Sequence, residues 1–376
     1  MIMKRIAFVL VCLSLNASAQ VLKPDTTGTY FSEMWNVYNT HKRISYIAFY
    51  PWMKVNENPG LPLLFEANIS PYFTFFRGRD YGDYGYSRPQ LKSLLIYFNP
   101  ELLLRMYRED PIGTKTKSLP VLPINFAPRL SFVKFLHRSD VQNRIENFQD
   151  YQFLELSIAH YSNGQEDPHN IRNMVKPNGD SIPNYRSGNF STNYWRLGYT
   201  RGWMNGNYGI ASANLYIQND GGAGDLFSYD PAQEQRYGRW RLGFTLQYHS
   251  GKTKVHTKKE QKVGLEKIDE PGDENGKNYK FKPRKLKDFD YYITWMVRFT
   301  NETIIDDVGL YPSPKRRNSS RLTLLAHPLN WRNVAVMAEY YIGRDFYNIR
   351  FYDAVSQFKI GLVAEPAFYI PRNTYK

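Results

Sequence analysis

The sequence predicts an all-β protein, a transmembrane antiparallel β-barrel of about 12 strands, and three observations carry that prediction. An export signal heads the chain, yet nothing after it approaches the roughly 18 consecutive apolar residues of a spanning helix. Aromatic residues make up 16% of the chain, with 30 Tyr, 23 Phe and 7 Trp. Segments of about ten residues alternate apolar and polar positions, with Trp and Tyr at both ends of the apolar faces and Arg, Gly and Thr opposite. A secreted β-sandwich also alternates. It seldom needs aromatic residues at both ends of its apolar faces, whereas a lipid-facing wall with an aromatic girdle at each rim does.

Residues 1–19 read as a signal peptide. Lys4 and Arg5 form its basic start, Ile6 to Leu15 its apolar stretch, and Ala17-Ser18-Ala19 a small-residue cleavage site before Gln20. Cys12 follows Val11 rather than a small residue, which argues against a lipid anchor. As the sole cysteine it leaves with this peptide, so the mature chain has no thiolate and no disulfide. Residues 20–40 carry Pro24-Asp25 and Thr26-Thr27-Gly28 without periodicity and read as an N-terminal periplasmic extension. The barrel is assigned to residues 41–376.

Strands are expected near 43–54, 63–77, 91–107 and 120–136. Pro71, Pro100 and Pro128 interrupt their alternation and predict bulges or displaced strand ends. The strand 147–162 puts Leu154, Leu156, Ile158, His160 and Ser162 on one face and Phe153, Glu155, Ser157, Ala159 and Tyr161 on the other. Strand 191–203 sets Asn193, Trp195, Leu197, Tyr199 and Trp203 opposite Arg196, Gly198, Thr200 and Gly202. Asn205-Gly206 then signals a hairpin into 207–217. Strand 236–249 opposes Trp240, Leu242, Phe244, Leu246 and Tyr248 to Arg239, Arg241, Gly243, Thr245 and Gln247. Segments 290–300, 319–327, 331–342 and 355–365 complete an even count, as closure requires.

With an even count both termini are periplasmic and the fifth strand runs outward, ending at His160 and Ser162. The same count makes the loop 250–287 periplasmic, although such barrels keep periplasmic turns short. The chain is basic, with a formal charge of +14, and residues 251–287 alone hold 12 Lys/Arg against 6 Asp/Glu. A solvated loop is the first reading of that run, attraction to anionic headgroups the second. Nucleic acid is not an expected partner of an exported chain without a recognition motif.

The chemistry sits where the fifth strand ends. A serine hydroxyl is a weak nucleophile until a base within hydrogen-bond reach takes its proton. Residues two apart on a strand share a face, so His160 can serve Ser162. The imidazole also needs a third group to fix its tautomer. Asn193 has the matching parity on the next strand. A His two residues from a Ser recurs by chance in many chains, and Ser-Asn-Gly ends many strands. Two polar residues at the end of a lipid-side face are nonetheless costly without a role.

The residues His160-x-Ser162-Asn163-Gly164, then Asp167-Pro168, then Ser191-x-Asn193 running into Arg196-Leu197-x-Tyr199-Thr200-Arg201, resemble the outer-membrane phospholipase A family. Weaker similarity reaches Asn99-Pro100-Glu101-Leu102 upstream and strand 236–248 downstream. The resemblance implies a twelve-stranded outer-membrane barrel that cleaves phospholipid acyl esters with calcium (Ca2+), usually as a homodimer. It implies Ser162 as nucleophile, His160 as general base and later acid, Asn193 as orienting residue, and the Gly164 N–H with calcium-polarised water at the oxyanion. Gln165 stands where the family has Arg, Asn170 aligns with a calcium-binding Ser, and the loop between Ser162 and Asn193 is longer. Gln165, Asp167 and Asn170 are the metal-ligand candidates, together with a loop carboxylate from Asp225 or Asp220.

Two other readings compete. A lipid A deacylase can also end a strand in His-x-Ser-Asn, but uses a carboxylate as third member on a shorter chain. A non-catalytic barrel or channel would use Arg196, Arg239, Arg241 and Arg298 to line its lumen.

Overall fold

The computed structural model describes residues 38, 41–55, 58–59, 63–77, 94–107, 123–138, 149–168, 170–175, 181–184, 188–205, 209–221, 237–257, 287–306, 317–327, 334–347, 351, 353–364 and 369–374. The signal peptide and nearly all of the segment 20–40 lie outside these residues.

Twelve strands follow in chain order. They are β1 Ser45–Val55, β2 Leu63–Ile69 resuming at Phe73–Arg77, β3 Leu94–Tyr107, β4 Asn125–Arg138, β5 Gln149–Ser162 and β6 Ser191–Asn205. The second half comprises β7 Gly209–Asp220, β8 Trp240–Thr257, β9 Lys287–Ile304, β10 Asn318–Ala326, β11 Val334–Arg344 and β12 Ala354–Ala364. Each strand pairs antiparallel with its neighbours in sequence, and β12 returns to β1 with Ser45 opposite Ala364. The sheet is thereby closed, which leaves no edge to template aggregation. No helix among the described residues is long and apolar enough to cross a membrane; the strands are the crossing elements.

The distribution of side chains is the inverse of a soluble barrel. Large apolar residues stand exposed all around the outside, from Phe49 on β1 and Phe75 on β2 through Ile158, Leu197, Leu215 and Leu246 to Leu324, Val336 and Leu362. The enclosed residues include Glu66, Arg105, Ser131, Ser157, Gln218, Arg241, Gln247, Glu339 and Lys359. An apolar exterior around a polar interior is stable in lipid and unstable in water.

The interior is filled rather than open. Glu66 accepts from Tyr46 at 2.5 Å and from Arg105 at 2.6 Å, and lies 3.0 Å from Lys359, which also reaches Glu339 at 2.9 Å. Arg105 turns Nη1 to Asp345 at 2.7 Å. Tyr38 enters from the N-terminal side and donates to Tyr97 at 2.6 Å, while His41 meets the Tyr151 hydroxyl at 2.9 Å. Gly202 leaves room for a ring: a Cβ there would stand 2.0 Å from Cζ of Tyr151, its cross-strand partner. A cavity of about 420 Å³ remains. Among its lining arginines, Arg196 is held by Gln218 at 2.9 Å and Arg241 by Asp220 at 2.7 Å and Glu302 at 3.2 Å. Arg239, expected in the lumen, is instead exposed at the rim before β8 begins, because the chain turns at Gly238 (φ 80).

The expected strands fall within a few residues of the observed ones except at two places. Pro71 splits β2. The β8–β9 hairpin is much longer than expected, each arm having 18 residues, and its pairing continues to Thr257 opposite Lys287. Gly209 at the start of β7 lies opposite Ser250, so the hairpin projects past the turn between Asn205 and Gly209 on that end of the barrel. The segment Tyr369–Thr374 pairs along it with Lys287–Tyr292. The misfit of a long loop at this end is thus that of an insertion at a hairpin tip, with the strand count intact. Residues 258–286 lie outside the described residues.

Candidate active site on the outer face

The alternation of β5 turns Phe153, Glu155 and Tyr161 to the lumen cavity and leaves Leu156 and Ile158 exposed outside. His160 and Ser162 share the parity of the exposed pair, so both sit on the outer face at the strand's end, half-buried. Their Cα atoms are two residues apart, about 7 Å along a strand, within the combined reach of an imidazole and a hydroxymethyl group.

On β6, Asn193 pairs directly with His160 and Ser191 with Ser162. Nδ1 of His160 lies 2.8 Å from Oδ1 of Asn193. An amide oxygen only accepts, so the ring donates from Nδ1, and Nε2 is left with a lone pair aimed away from Asn193. The unit is therefore a hydroxyl, a ring that keeps a basic nitrogen and an amide that fixes the tautomer, side by side at the end of a strand face that carries exposed Leu156 and Ile158. Asn193 is itself held from behind, its backbone carbonyl accepting from Gly221 N at 2.7 Å.

The turn after Ser162 is built by Asn163, to which sequence reasoning assigned no role beyond a strand-ending turn. Asn163 is buried and its side chain spans the long loop: Oδ1 accepts from Phe190 N at 3.0 Å and Gln165 N at 3.3 Å, and Nδ2 donates to Gly188 O at 2.8 Å. Its backbone N–H also donates to Phe190 O at 3.0 Å. Gly164 follows in the left-handed region at φ 64, a conformation glycine adopts without strain. Phe190 is buried against Tyr161, Tyr237 and Phe351. Tyr161, on the inner side of β5 between His160 and Ser162, bonds to Phe346 O at 2.5 Å and accepts from Asn125 at 2.8 Å. The outer unit thus rests on an inner brace. The only sequence signal for it was the Asn-Gly pair, which reads as an ordinary turn.

The proposed metal ligands are less well gathered. Gln165 is half-buried and Asp167 exposed, with the Asp167 carbonyl accepting from Asn189 N at 2.8 Å. Asn170 opens a short strand, Asn170–Val175, that pairs with Ser181–Pro183. Asp225 lies outside the described residues. Asp220 faces inward, fully enclosed, with Arg241 at 2.7 Å and Gln218 within 3.0 Å, so its carboxylate is committed to the lumen. Among the described residues no three His, Cys, Asp or Glu side chains come together as a metal group. Calcium takes six to eight oxygen ligands; Gln165 and Asp167 do not by themselves fit that demand.

The chain matches no protein-family model and no curated protein. Among solved structures it is similar to outer membrane phospholipase A from Escherichia coli, at 12% identity over 86% of this chain and 90% of that one, with a TM-score of 0.44. An active-site mutant of the same protein gives 11% identity over the same shares and a TM-score of 0.44. The Salmonella typhi outer membrane phospholipase dimer with bound calcium gives 11% identity, 86% and 90% coverage, and a TM-score of 0.45.

Proposed function

We propose that this barrel is an outer-membrane phospholipase A that hydrolyses acyl esters at Ser162. The observation that carries the proposal is the 2.8 Å hydrogen bond between His160 and Asn193 on the lipid-facing wall, with Ser162 next along the same face. A polar set at that depth finds its substrate without leaving the bilayer.

In the reaction, Nε2 of His160 takes the Ser162 proton as Oγ bonds to the ester carbonyl carbon. The tetrahedral intermediate's oxygen carries the negative charge, and the Gly164 N–H is the proposed donor to it. When the C–O bond to glycerol breaks, His160 returns the proton to the leaving oxygen. Water, activated by the same ring, then releases the fatty acid. Asn193 keeps the ring in one tautomer throughout. Being neutral, it orients the imidazolium without stabilising it by charge, so turnover slower than with an aspartate is expected. No step is routed through calcium, because the oxygens in hand do not make a cage for it. Assembly as a homodimer belongs to the same proposal and is read by cross-linking in detergent.

The test is hydrolysis of a fluorogenic phospholipid by the refolded barrel, wild type against Ser162→Ala, with calcium against EDTA. Turnover lost in the variant is expected. Turnover that persists in the folded variant would sink the reading. No phospholipid turnover, with release of fatty acid from lipopolysaccharide instead, would transfer the site to lipid A. The EDTA arm decides the metal independently.

A further inference from the structure

Three prolines of the barrel wall stand in one line with the proposed active site. Pro100 on β3 pairs directly with Pro128 on β4. On one side, the register of β2 with β3, Ile69 opposite Leu102 and Phe73 opposite Phe98, sets Pro71 opposite Pro100. On the other, β4 pairs with β5 at Phe126–Ser162 and Arg129–Ala159, which sets Pro128 opposite His160. Asn193 continues the line on β6. The row Pro71, Pro100, Pro128, His160, Asn193 thus crosses five neighbouring strands at one level.

Proline cannot donate to a ladder and is confined in most sheets to edges and bulges. A closed barrel has no edge, so three in register are a local interruption of the wall. The pairing confirms it: β2 loses strand geometry at 70–72, and the ladder between β4 and β5 skips Ala127 and Pro128. The interruption is supported from within. Asn99, wholly buried on the inner face, donates to Pro71 O at 2.7 Å and to Ser70 Oγ at 3.0 Å.

On the outside, where it crosses β3 and β4, the row lies between two bulkier ones. Toward the outer rim run Leu102, Phe126 and then Ser162, and toward the membrane centre Phe98, Leu130 and Ile158. Phe126 and Ile158 stand well exposed at 40% and 54%. Proline rings are shorter than these neighbours, so the line is a shallow apolar track with raised sides whose inner end is His160.

We propose that this track seats the acyl chain of the ester being cleaved. The inference rests on the hydrolase reading above. The carbonyl lies at Ser162 and His160, and the chain lies flat across β4, β3 and β2, ending near Pro71. Three inter-strand spacings give the track a length of about 14 Å. It is continuous with the reacting group, and the three prolines that floor it have apolar rings and no backbone N–H. From Pro71 to Pro128 the row offers a polar headgroup no charged or hydrogen-bonding side chain, and the acyl chain is therefore the occupant that fits it.

The experiment compares p-nitrophenyl palmitate with p-nitrophenyl butyrate on the refolded full-length chain. Pro71→Trp fills the far end of the track and Pro100→Trp its middle. Both place an aromatic residue on a lipid-facing surface where such residues are at home, and folding is checked by heat-modifiable electrophoretic mobility. The expected result is that Pro71→Trp lowers kcat/KM for palmitate about tenfold and leaves butyrate unchanged. Pro100→Trp should lower palmitate further, again sparing butyrate. A palmitate-to-butyrate ratio equal to wild type in both folded variants overturns the track alone. A wild-type barrel inert toward both esters overturns the hydrolase reading and the track with it. Should either variant fail to fold, Pro71→Leu and Pro100→Leu give the same comparison with a smaller intrusion.

Discussion

Two clusters of polar side chains occupy the wall of this barrel on opposite faces, and they are built by different rules. In the lumen, Glu66, Arg105, Lys359, Glu339 and Asp345 pair with one another, each charge meeting an opposite one within about 3 Å. On the outer face, His160 and Asn193 share one hydrogen bond, Ser162 and its cross-strand partner Ser191 stand beside them, and the wall toward the membrane centre carries exposed Leu156 and Ile158. Charges that neutralise each other fill space and hold strands in register. A base whose second nitrogen points at no other group of its own unit has capacity left over. The comparison teaches that polarity in a membrane wall is a guide to function only when its hydrogen-bonding capacity is unspent.

The two clusters should respond to mutation in opposite currencies. Ser162→Ala removes the proposed nucleophile and leaves packing intact. Hydrolysis should fall by about 10⁵-fold or more, with no change in the urea midpoint of the folded barrel. Glu66→Ala does the reverse. It takes from Arg105 and Lys359 one of the two carboxylates that each holds in an enclosed interior, leaving Asp345 and Glu339 to them, and breaking such a set by removing one member costs up to about 3–5 kcal/mol. Unfolding should show that loss, while turnover per folded molecule stays within a factor of two or so of wild type, since Glu66 touches nothing at the outer site. A large activity loss in folded Glu66→Ala would erase the distinction between the clusters.

Asn193→Ala sharpens the comparison within the outer cluster. The ring keeps its basic nitrogen but loses the partner that selects the tautomer and aim. A misplacement on the scale of 1 Å costs about 100-fold, so kcat should fall by that order with KM little changed. Asn193→Asp should recover activity and raise it above wild type, because a carboxylate also stabilises the imidazolium. An Asp variant no better than Ala would mean that Asn193 does not orient the ring.

Much of this was legible in the sequence, for physical reasons that can be named. Strand alternation in lipid is enforced on both faces, so Trp240, Leu242 and Phe244 against Arg241, Gly243 and Thr245 located β8 at once. The facing of His160, Ser162 and Asn193 follows from parity alone, and their register needed only that β5 and β6 be neighbours. Parity also reveals that Asp220, which pairs with Tyr194, points to the lumen, a consequence the calcium assignment had overlooked. The prolines read as interruptions of separate strands. Their alignment is a property of register between strands and cannot be seen in any one of them. The far ends of β8 and β9 were hidden because Lys252, Lys254 and Lys287 break the apolar pattern. There the pairing runs on past the apolar band, held by backbone hydrogen bonds.

Asn163 is the residue on which the two faces depend together. It follows Ser162, but its side chain turns inward to Phe190 N and Gly188 O, in the segment that leads the chain into β6 and Asn193. Asn163→Ala would leave a buried donor and acceptor unserved, costing about 1–3 kcal/mol, and the cost should be local because the barrel ladders do not pass through that loop. Hydrogen exchange at the Phe190 and Gln165 amides should accelerate while amides in the middle of β5 and β6 keep their protection. Activity should drop about tenfold, less than for Asn193→Ala, since the His160–Asn193 pair is also fixed by the β5–β6 ladder. Unchanged exchange at Phe190 would show that the aromatic contacts to Tyr237 and Phe351 hold the loop without the amide. The outer site would then depend on the inner face through packing rather than through Asn163.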